Sequence, residues 1–533
     1  MKRKLSNGSR FRHPTLERAQ EVDNVVPFAS LQAKLNKSKS SNSGSAVHWF
    51  RTKDLRAEDN VGLTAAAKRA EKHGSSLFTI FVFNTEELRS HGVGNNRNAF
   101  MLQGLKALKE QLKKQGIPLA VKSCRSTKET VDIIGDFMKE TGSLTLFANF
   151  EYEYDEIMRD IQVVDRLQEN DMDFQLLHDQ TILEPGSLTT STHSPRKVFT
   201  PFWNDWVPAV NKLDLSLLPV PKQPGTSVDE KFFNSKDEAD IFDTKLDTSL
   251  EKLWPAGHDS GIEKLNHFID KKIDRYGNER STPAKDCVSR LSPYFALGFI
   301  SAREALVAIK ERKNVKSFGT GTNGVDSWVR ELAFREFYRQ MVAVVCPHIV
   351  MNVPMSLKLN NVEFVDVESE EGKDSWDRWV SGTTGYPFVD AGMRQLNSEG
   401  YMHNRLRMNV ASYLKMTMLL DYRLGANYFA NHLLDWDCCN NMFGWDPSLT
   451  VFNPVLQAEK CDPAGNYIRK WIPELRNVFG KAIFDPYHRM QPKEFEKLGY
   501  PAPQERQKDL QDCKKRALER YKRAYGKIKQ EEQ

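Results

Sequence analysis

The stretch SLFTIFVFN, residues 76–84, constrains the fold more than any other in this chain. Its apolar residues follow one another without polar alternation, so a strand built from it must be covered on both faces. Segments of helical period lie on either side, TAAAKRAEKHG (64–74) and NAFMLQGLKALKEQLKKQG (98–116). AVHWF (46–50) opens the pattern, and LAVKSC (119–124), the helical ETVDIIGDFMKETG (129–142) and SLTLFANFEY (143–152) repeat it. Buried strands alternating with helices specify a parallel α/β sheet. No GxGxxG follows the first strand, so the dinucleotide-binding fingerprint is absent.

At 533 residues the chain exceeds one core. The expected fold class is α/β plus all-α. The α/β domain spans 46–180, a Pro- and Gly-rich connector 181–260, and a helical domain 261–495, followed by a basic tail over 496–533. Residues 1–45 read as a disordered basic extension ending in NKSKSSNSGS. Charge is uneven: 1–45 carries +6 and 503–533 carries +4, against a whole-chain balance of +5, so the body between is net negative. Basic ends suit electrostatic search along nucleic acid, and equally a plain solvated tail. KRK at 2–4 fits a nuclear or a mitochondrial address, and both stay open. No run of 18 apolar residues is present, which argues against a membrane span, and no metal-ligand spacing is seen. Seven scattered Cys without a CxxC pair fit a reducing compartment.

The helical half concentrates charge in apolar surroundings. GYMHNRLRM (400–408) puts Asn404, Arg407 and Met408 on one helix face with Arg405 beside it. A buried Arg must find a partner. DSWVRELAFREFYRQ places Glu331 and Arg335 at i,i+4, and TGYPFVDAGMRQL does the same with Asp390 and Arg394; either pair reads first as a brace. DWDCCNN sets Asp435 and Asp437 around Trp436, with Asn440 three residues on, a pattern suited to acid/base work or to bonding a neutral ligand.

Seven segments taken in order, HWFRTKDLRAEDN, RLSPYFALGFIS, ELAFREFYR, TGYPFVDAGMRQL, GYMHNRLRM, DWDCCNN and DPAGNYIRKWIPEL, resemble the photolyase/cryptochrome family. The closest likeness is to the fungal class I members that repair cyclobutane pyrimidine dimers. The resemblance implies a lyase that binds ultraviolet-damaged DNA as a monomer and repairs it with light and FAD, with a folate antenna, 5,10-methenyltetrahydrofolate. It implies FAD contacts from Tyr276, Ser289, Leu291, Ser292, Trp328, Arg335, Asn404, Arg407, Asp435, Asp437 and Asn440, the last beside the flavin ring. Arg407 is expected to pair with Asp435 or a neighbour. Glu331, Phe334, Arg405 and Met408 match positions that meet the lesion, Glu331 and Asn440 serving the catalytic step. Glu156, in FEYEYDEIMRD, matches a folate-contacting carboxylate, although an acidic first helical turn is ordinary on its own.

Departures from the family pattern bear on activity. Val288 stands where a Thr is usual, and Phe334 replaces a Trp wall of the lesion pocket. After Asn441 the chain reads MFGWDPSLTVFNP, about nine residues shorter than the family, and the second wall Trp is missing. Of the electron-relay tryptophans, the inner matches Trp445 after a one-residue shift, the middle is Tyr422 and the outer is Lys358. The alternative implied is a blue-light receptor that keeps FAD without repair.

Overall fold

The computed structural model describes residues 16–36, 44–225, 228–234, 238–321 and 323–526. The KRK run, most of NKSKSSNSGS and the last seven residues lie outside these. Five strands, β1 (Ser45–Phe50), β2 (Leu77–Asn84), β3 (Leu119–Cys124), β4 (Ser143–Asn149) and β5 (Asp173–Leu177), form one parallel sheet in the order β3-β2-β1-β4-β5. Only Phe83 of β2 is not buried, as the apolar run requires. The helices Val61–Lys72, Asn95–Lys114, Thr127–Glu140 and Tyr154–Gln168 connect the strands and cover the sheet. Ser126 caps the third of these through the Glu129 N–H.

The order of strands reverses between β1 and β4, and such a switch point opens a crevice at the carboxyl ends of the strands. Arg51 and Lys53 follow β1 there, and Glu151 and Glu153 follow β4. They are buried and paired: Arg51 with Asp160 at 2.9 Å, Lys53 with Glu153 at 2.6 Å, and Arg159 with Glu151 at 2.7 Å. The helical half packs against this end of the sheet. Arg97 donates from Nε to the Trp436 carbonyl at 3.1 Å, and Arg56 donates to the Gly298 carbonyl at 3.2 Å. One apolar core, from Phe81 to Trp379, runs through both halves.

The N-terminal extension and the connector are more ordered than the sequence suggests, and the basic tail forms the helix that the period of RALERYKRAYGKIKQ indicates. Within the expected disordered extension, Leu16–Val25 and Pro27–Leu35 are helices. The first buries Ala19 and Val22, and the second Pro27, Phe28 and Leu31. Val22 joins the large core, and Phe28 and Leu31 join the sheet's outer core, Phe28 against Phe150 and Tyr152, so the extension bridges the two halves. Asp23 fixes the bridge by pairing with His348 at 2.7 Å. Within the connector, Phe199–Asn211 is a helix whose Trp206 donates to Glu336 at 2.8 Å. The basic tail holds the helix Leu510–Ala524, with Cys513, Ala517 and Tyr521 buried along one stripe, the last two against Leu359 and Met416. In the N-terminal helices a short stripe of burial suffices, and a mostly polar segment hides it.

Candidate functional site

The helix Asn404–Ser412 starts at His403, whose Nδ1 accepts the Arg405 N–H at 3.1 Å. That bond requires a neutral ring. Burial, and then the charges of Arg405, Arg407 and Arg290, pull the imidazolium down to about 4. The cap aims Arg407 inward. It donates from Nε to the Met402 carbonyl at 2.8 Å and from Nη2 to Asp435 at 2.6 Å. Ser292 donates to the same oxygen of Asp435 at 2.6 Å. The other oxygen, Oδ1, is buried and has no hydrogen-bond partner among the described residues. A buried acceptor left open at the centre of a polar cluster suits a donor from a bound ligand.

Asp437 caps the helix Cys438–Trp445, accepting from the backbone N–H of Asn440 at 3.0 Å and from its side-chain amide at 2.6 Å. Its second oxygen meets Arg339 at 2.5 Å. Burial favours the neutral acid, but Arg339 and then Arg335 outweigh it and hold Asp437 well below the usual carboxylate range. Arg335 itself has no carboxylate partner among the described residues. It donates to the carbonyls of Gln180 at 2.7 Å and Phe295 at 3.2 Å, and burial with the like charge of Arg339 pulls it down to about 9. A cation held this way suits an anionic ligand such as a phosphate.

The remaining expected cofactor positions surround this cluster. Tyr276 and Trp328 both pack on Phe268, at 5.8 and 5.4 Å between ring centroids, and Trp328 also faces Phe295. Leu291 is buried beside Ser292, Ser289 is half-buried, and Asn404 is exposed. The residue between Ser289 and Leu291, Arg290, adopts φ +53°, a left-handed conformation that an Arg rarely takes. It pairs with Glu399 at 2.6 Å and lies 4.9 Å from the Trp254 ring centre.

The expected lesion residues form a rim. Met408 is exposed, and Arg405 reaches its sulfur at 3.6 Å and Ser281 at 2.9 Å. Glu331 pairs with Arg280 rather than with Arg335, which the i,i+4 spacing suggested. Asp390 and Arg394 likewise part: Asp390 accepts from Thr384 at 2.6 Å and from Tyr500, and Arg394 meets Glu474 at 2.8 Å. Phe334 lies face to face with Phe199 and touches Tyr338, which stacks on Phe443 at 4.8 Å.

The relay positions do not line up as expected. Trp445 is buried edge-on to Phe429 at 4.9 Å and to Trp379 at 6.2 Å, and Trp379 stacks on Trp376 at 5.5 Å. Tyr422 turns instead towards Phe364, with its hydroxyl on the Asn352 carbonyl at 3.0 Å, and Lys358 is exposed. Trp445 can lie so close because Gly425 has no Cβ, which would come within 2.2 Å of the indole. One helical turn after Asn440 stands Gly444, where a Cβ would meet nothing within 4 Å. The expected antenna residue, Glu156, meets His91 at 3.1 Å and keeps a buried oxygen without a hydrogen-bond partner. Glu156 outweighs burial and holds His91 well above its ordinary value.

Arg280, Ser281, Arg339, Gln180 and His91 were not singled out from the sequence. Arg339 left a signal, one turn beyond Arg335, and so did Arg280, one turn beyond Tyr276 with Ser281 next to it; Gln180 and His91 reach the site from distant segments.

Residues 46–224 match the DNA photolyase family, and residues 328–523 match the FAD binding domain of DNA photolyase. The deoxyribodipyrimidine photo-lyase of Neurospora crassa is 37% identical over 513 residues, 90% of this chain and 82% of the relative. That of Escherichia coli is 32% identical over 473 residues, 85% and 94% of the two chains. The mitochondrial deoxyribodipyrimidine photo-lyase of Saccharomyces cerevisiae is 29% identical over 526 residues, 92% and 88%. Among solved structures, a class III photolyase from Agrobacterium tumefaciens superposes with TM-score 0.78 at 28% identity, covering 92% of this chain and 99% of that one. A Synechocystis cryptochrome, at TM-score 0.76 and 23% identity over 90% and 99% of the chains, shares the fold.

Proposed function

The chain belongs to the DNA photolyase family, and from this premise we infer that it is a light-driven lyase that repairs cyclobutane pyrimidine dimers in ultraviolet-damaged DNA, with FAD as cofactor. The observation that carries the site assignment is the polar cluster of Arg407, Asp435, Ser292 and Arg335. It combines an open buried acceptor with a cation that lacks a carboxylate, which fits a dinucleotide bearing both N–H donors and phosphates. When bound and reduced, the flavin supplies the light-driven electron that splits the cyclobutane ring.

The protein's own part is position and electrostatics. Ser292, Arg335, Arg407, Asp435 and Asp437 hold the cofactor, with Tyr276, Ser289, Leu291 and Trp328 around it. Asn440, fixed by Asp437, presents its amide to the ring. Glu331, Arg405, Met408 and Phe334 receive the lesion, which leaves the duplex at reduced cost because its pairing is already damaged. Arg280 joins them as the group that holds Glu331 until a base edge takes its place.

Glu156 and His91 are proposed to hold a folate antenna, 5,10-methenyltetrahydrofolate, on the strength of the open Glu156 oxygen. The proposed working unit is a monomer. The proposed location is the nucleus or the mitochondrion, a choice supported by fungal relatives that include a mitochondrial one. Repair is carried better than light reception alone, because the curated relatives above are deoxyribodipyrimidine photo-lyases. Purified protein should release flavin on denaturation and should restore thymine-dimer DNA under blue light and not in the dark. Flavin without any light-dependent repair would overturn the reading in favour of a receptor.

A further inference from the structure

Phe479 is 71% exposed, more than any other large apolar side chain described. One face of its ring is covered by the guanidinium of Arg469, 5.4 Å from the ring centre, and the other is left to solvent. It sits in the turn Arg476–Lys481, where Gly480 takes φ +66°. Arg476 and Lys481 are exposed and have no ion-pair partner among the described residues, whereas the carboxylates nearby are already engaged. Glu474 is held by Arg394 at 2.8 Å, Glu459 by Arg489 at 2.8 Å and Asp485 by His488 at 2.8 Å. Asp462 is buried and caps Ile468 at 3.0 Å. The turn therefore presents uncompensated positive charge around an aromatic face, in a chain whose body is net negative.

One helix links the turn to the lesion rim. The helix Pro454–Cys461 packs both on Asn404–Ser412, which carries Arg405 and Met408, and on Gly480–Phe484. Free cations beside an exposed ring match a sugar-phosphate backbone, which needs charge for its phosphates and an apolar surface for its sugars and bases.

Resting on the repair reading, we propose that Phe479, Arg476 and Lys481 form a second DNA contact next to the rim. The two cations meet phosphates of the duplex flanking the lesion, and the ring packs against its sugars and base edges. The test is binding of a dimer-containing duplex across a salt series, by fluorescence anisotropy, with flavin-loaded protein. Phe479→Ala should weaken binding about fivefold or more with the salt slope unchanged. Arg476→Ala with Lys481→Ala should make the slope of log K against log salt shallower by about 1.8, or roughly 0.9 for each phosphate no longer neutralised. All three positions are exposed, so flavin content and Tm should stay at wild-type values. Wild-type affinity and slope in both variants, while the wild type binds the duplex, would overturn this contact alone. A wild type with no preference for dimer-containing DNA would overturn the repair reading and this contact with it.

Discussion

Arg407 and Asp435 stand 28 residues apart in sequence and meet at 2.6 Å, with Asp435 buried and Arg407 partly open. Removing one partner of such a pair leaves the other charge stranded. Arg407→Ala should cost about 2–3 kcal/mol, discounted for the partial exposure of the Arg, and should release flavin. Arg407→Lys restores charge without the fork that also reaches the Met402 carbonyl, so it should recover only part of the loss. Flavin-to-protein ratio and calorimetric Tm check both variants.

The pair between Arg280 and Glu331 is solvent-accessible, so it adds little to the fold. Arg280→Ala should change stability by about 1 kcal/mol or less. Glu331→Gln should likewise leave flavin content unchanged, yet lower the yield of dimer splitting several-fold. Repair per absorbed photon, measured on a short dimer-containing strand, separates this from a folding defect.

His403 makes stability depend on pH. Its folded value lies near 4, below the ordinary 6.5, so between these the unfolded chain binds a proton that the native chain does not. Native stability should therefore fall by on the order of 3 kcal/mol as pH drops from 6.5 to 4. His403→Asn keeps a capping acceptor that does not titrate, and its denaturant midpoint should lose less over the same window.

Glu156→Ala should remove any folate absorbance in the near ultraviolet while flavin remains. With its carboxylate gone, burial acts on His91 without that opposition, and the imidazole should titrate well below its wild-type position. The His91 ring signal, followed by NMR across pH, reads this without reference to repair.

The aromatic contacts predict the path of photoreduction. Trp445, Trp379 and Trp376 adjoin one another, whereas Tyr422 faces Phe364. Trp379→Phe should slow flavin bleaching under blue light with a thiol donor, and Tyr422→Phe should not. Equal rates in the two variants would place the donor elsewhere.

Much of this was legible in the sequence because periodicity reports burial. The run LFTIFVFN has no polar face, and the strand it forms is covered on both sides. The cofactor cluster was legible through residue types that make sense only in company, such as Arg407 in an apolar setting. Spacing misled where a better partner came from far away. Glu331 and Asp390 each had an Arg one turn along, yet Arg280 took the first, while Thr384 and Tyr500 satisfied the second. The helical period of RALERYKRAYGKIKQ, near the end, did show, and the helix Leu510–Ala524 covers most of it, whereas the N-terminal helices escaped notice because so few side chains bury each of them in a basic, polar stretch.

The bridge made by the first helices has a consequence for biosynthesis. Asp23 finds its partner His348 only 325 residues later, so a segment made well before the helical half must wait for it. Contacts of that span are slow to close and do not help the sheet to nucleate. The α/β half can assemble while Leu16–Leu35 is still searching, and the outer core around Phe28 closes without His348. The clasp to His348 then comes last, and it closes only once the later half has folded correctly. A chain stalled before residue 348 would keep its first helix undocked, open to chaperones and proteases.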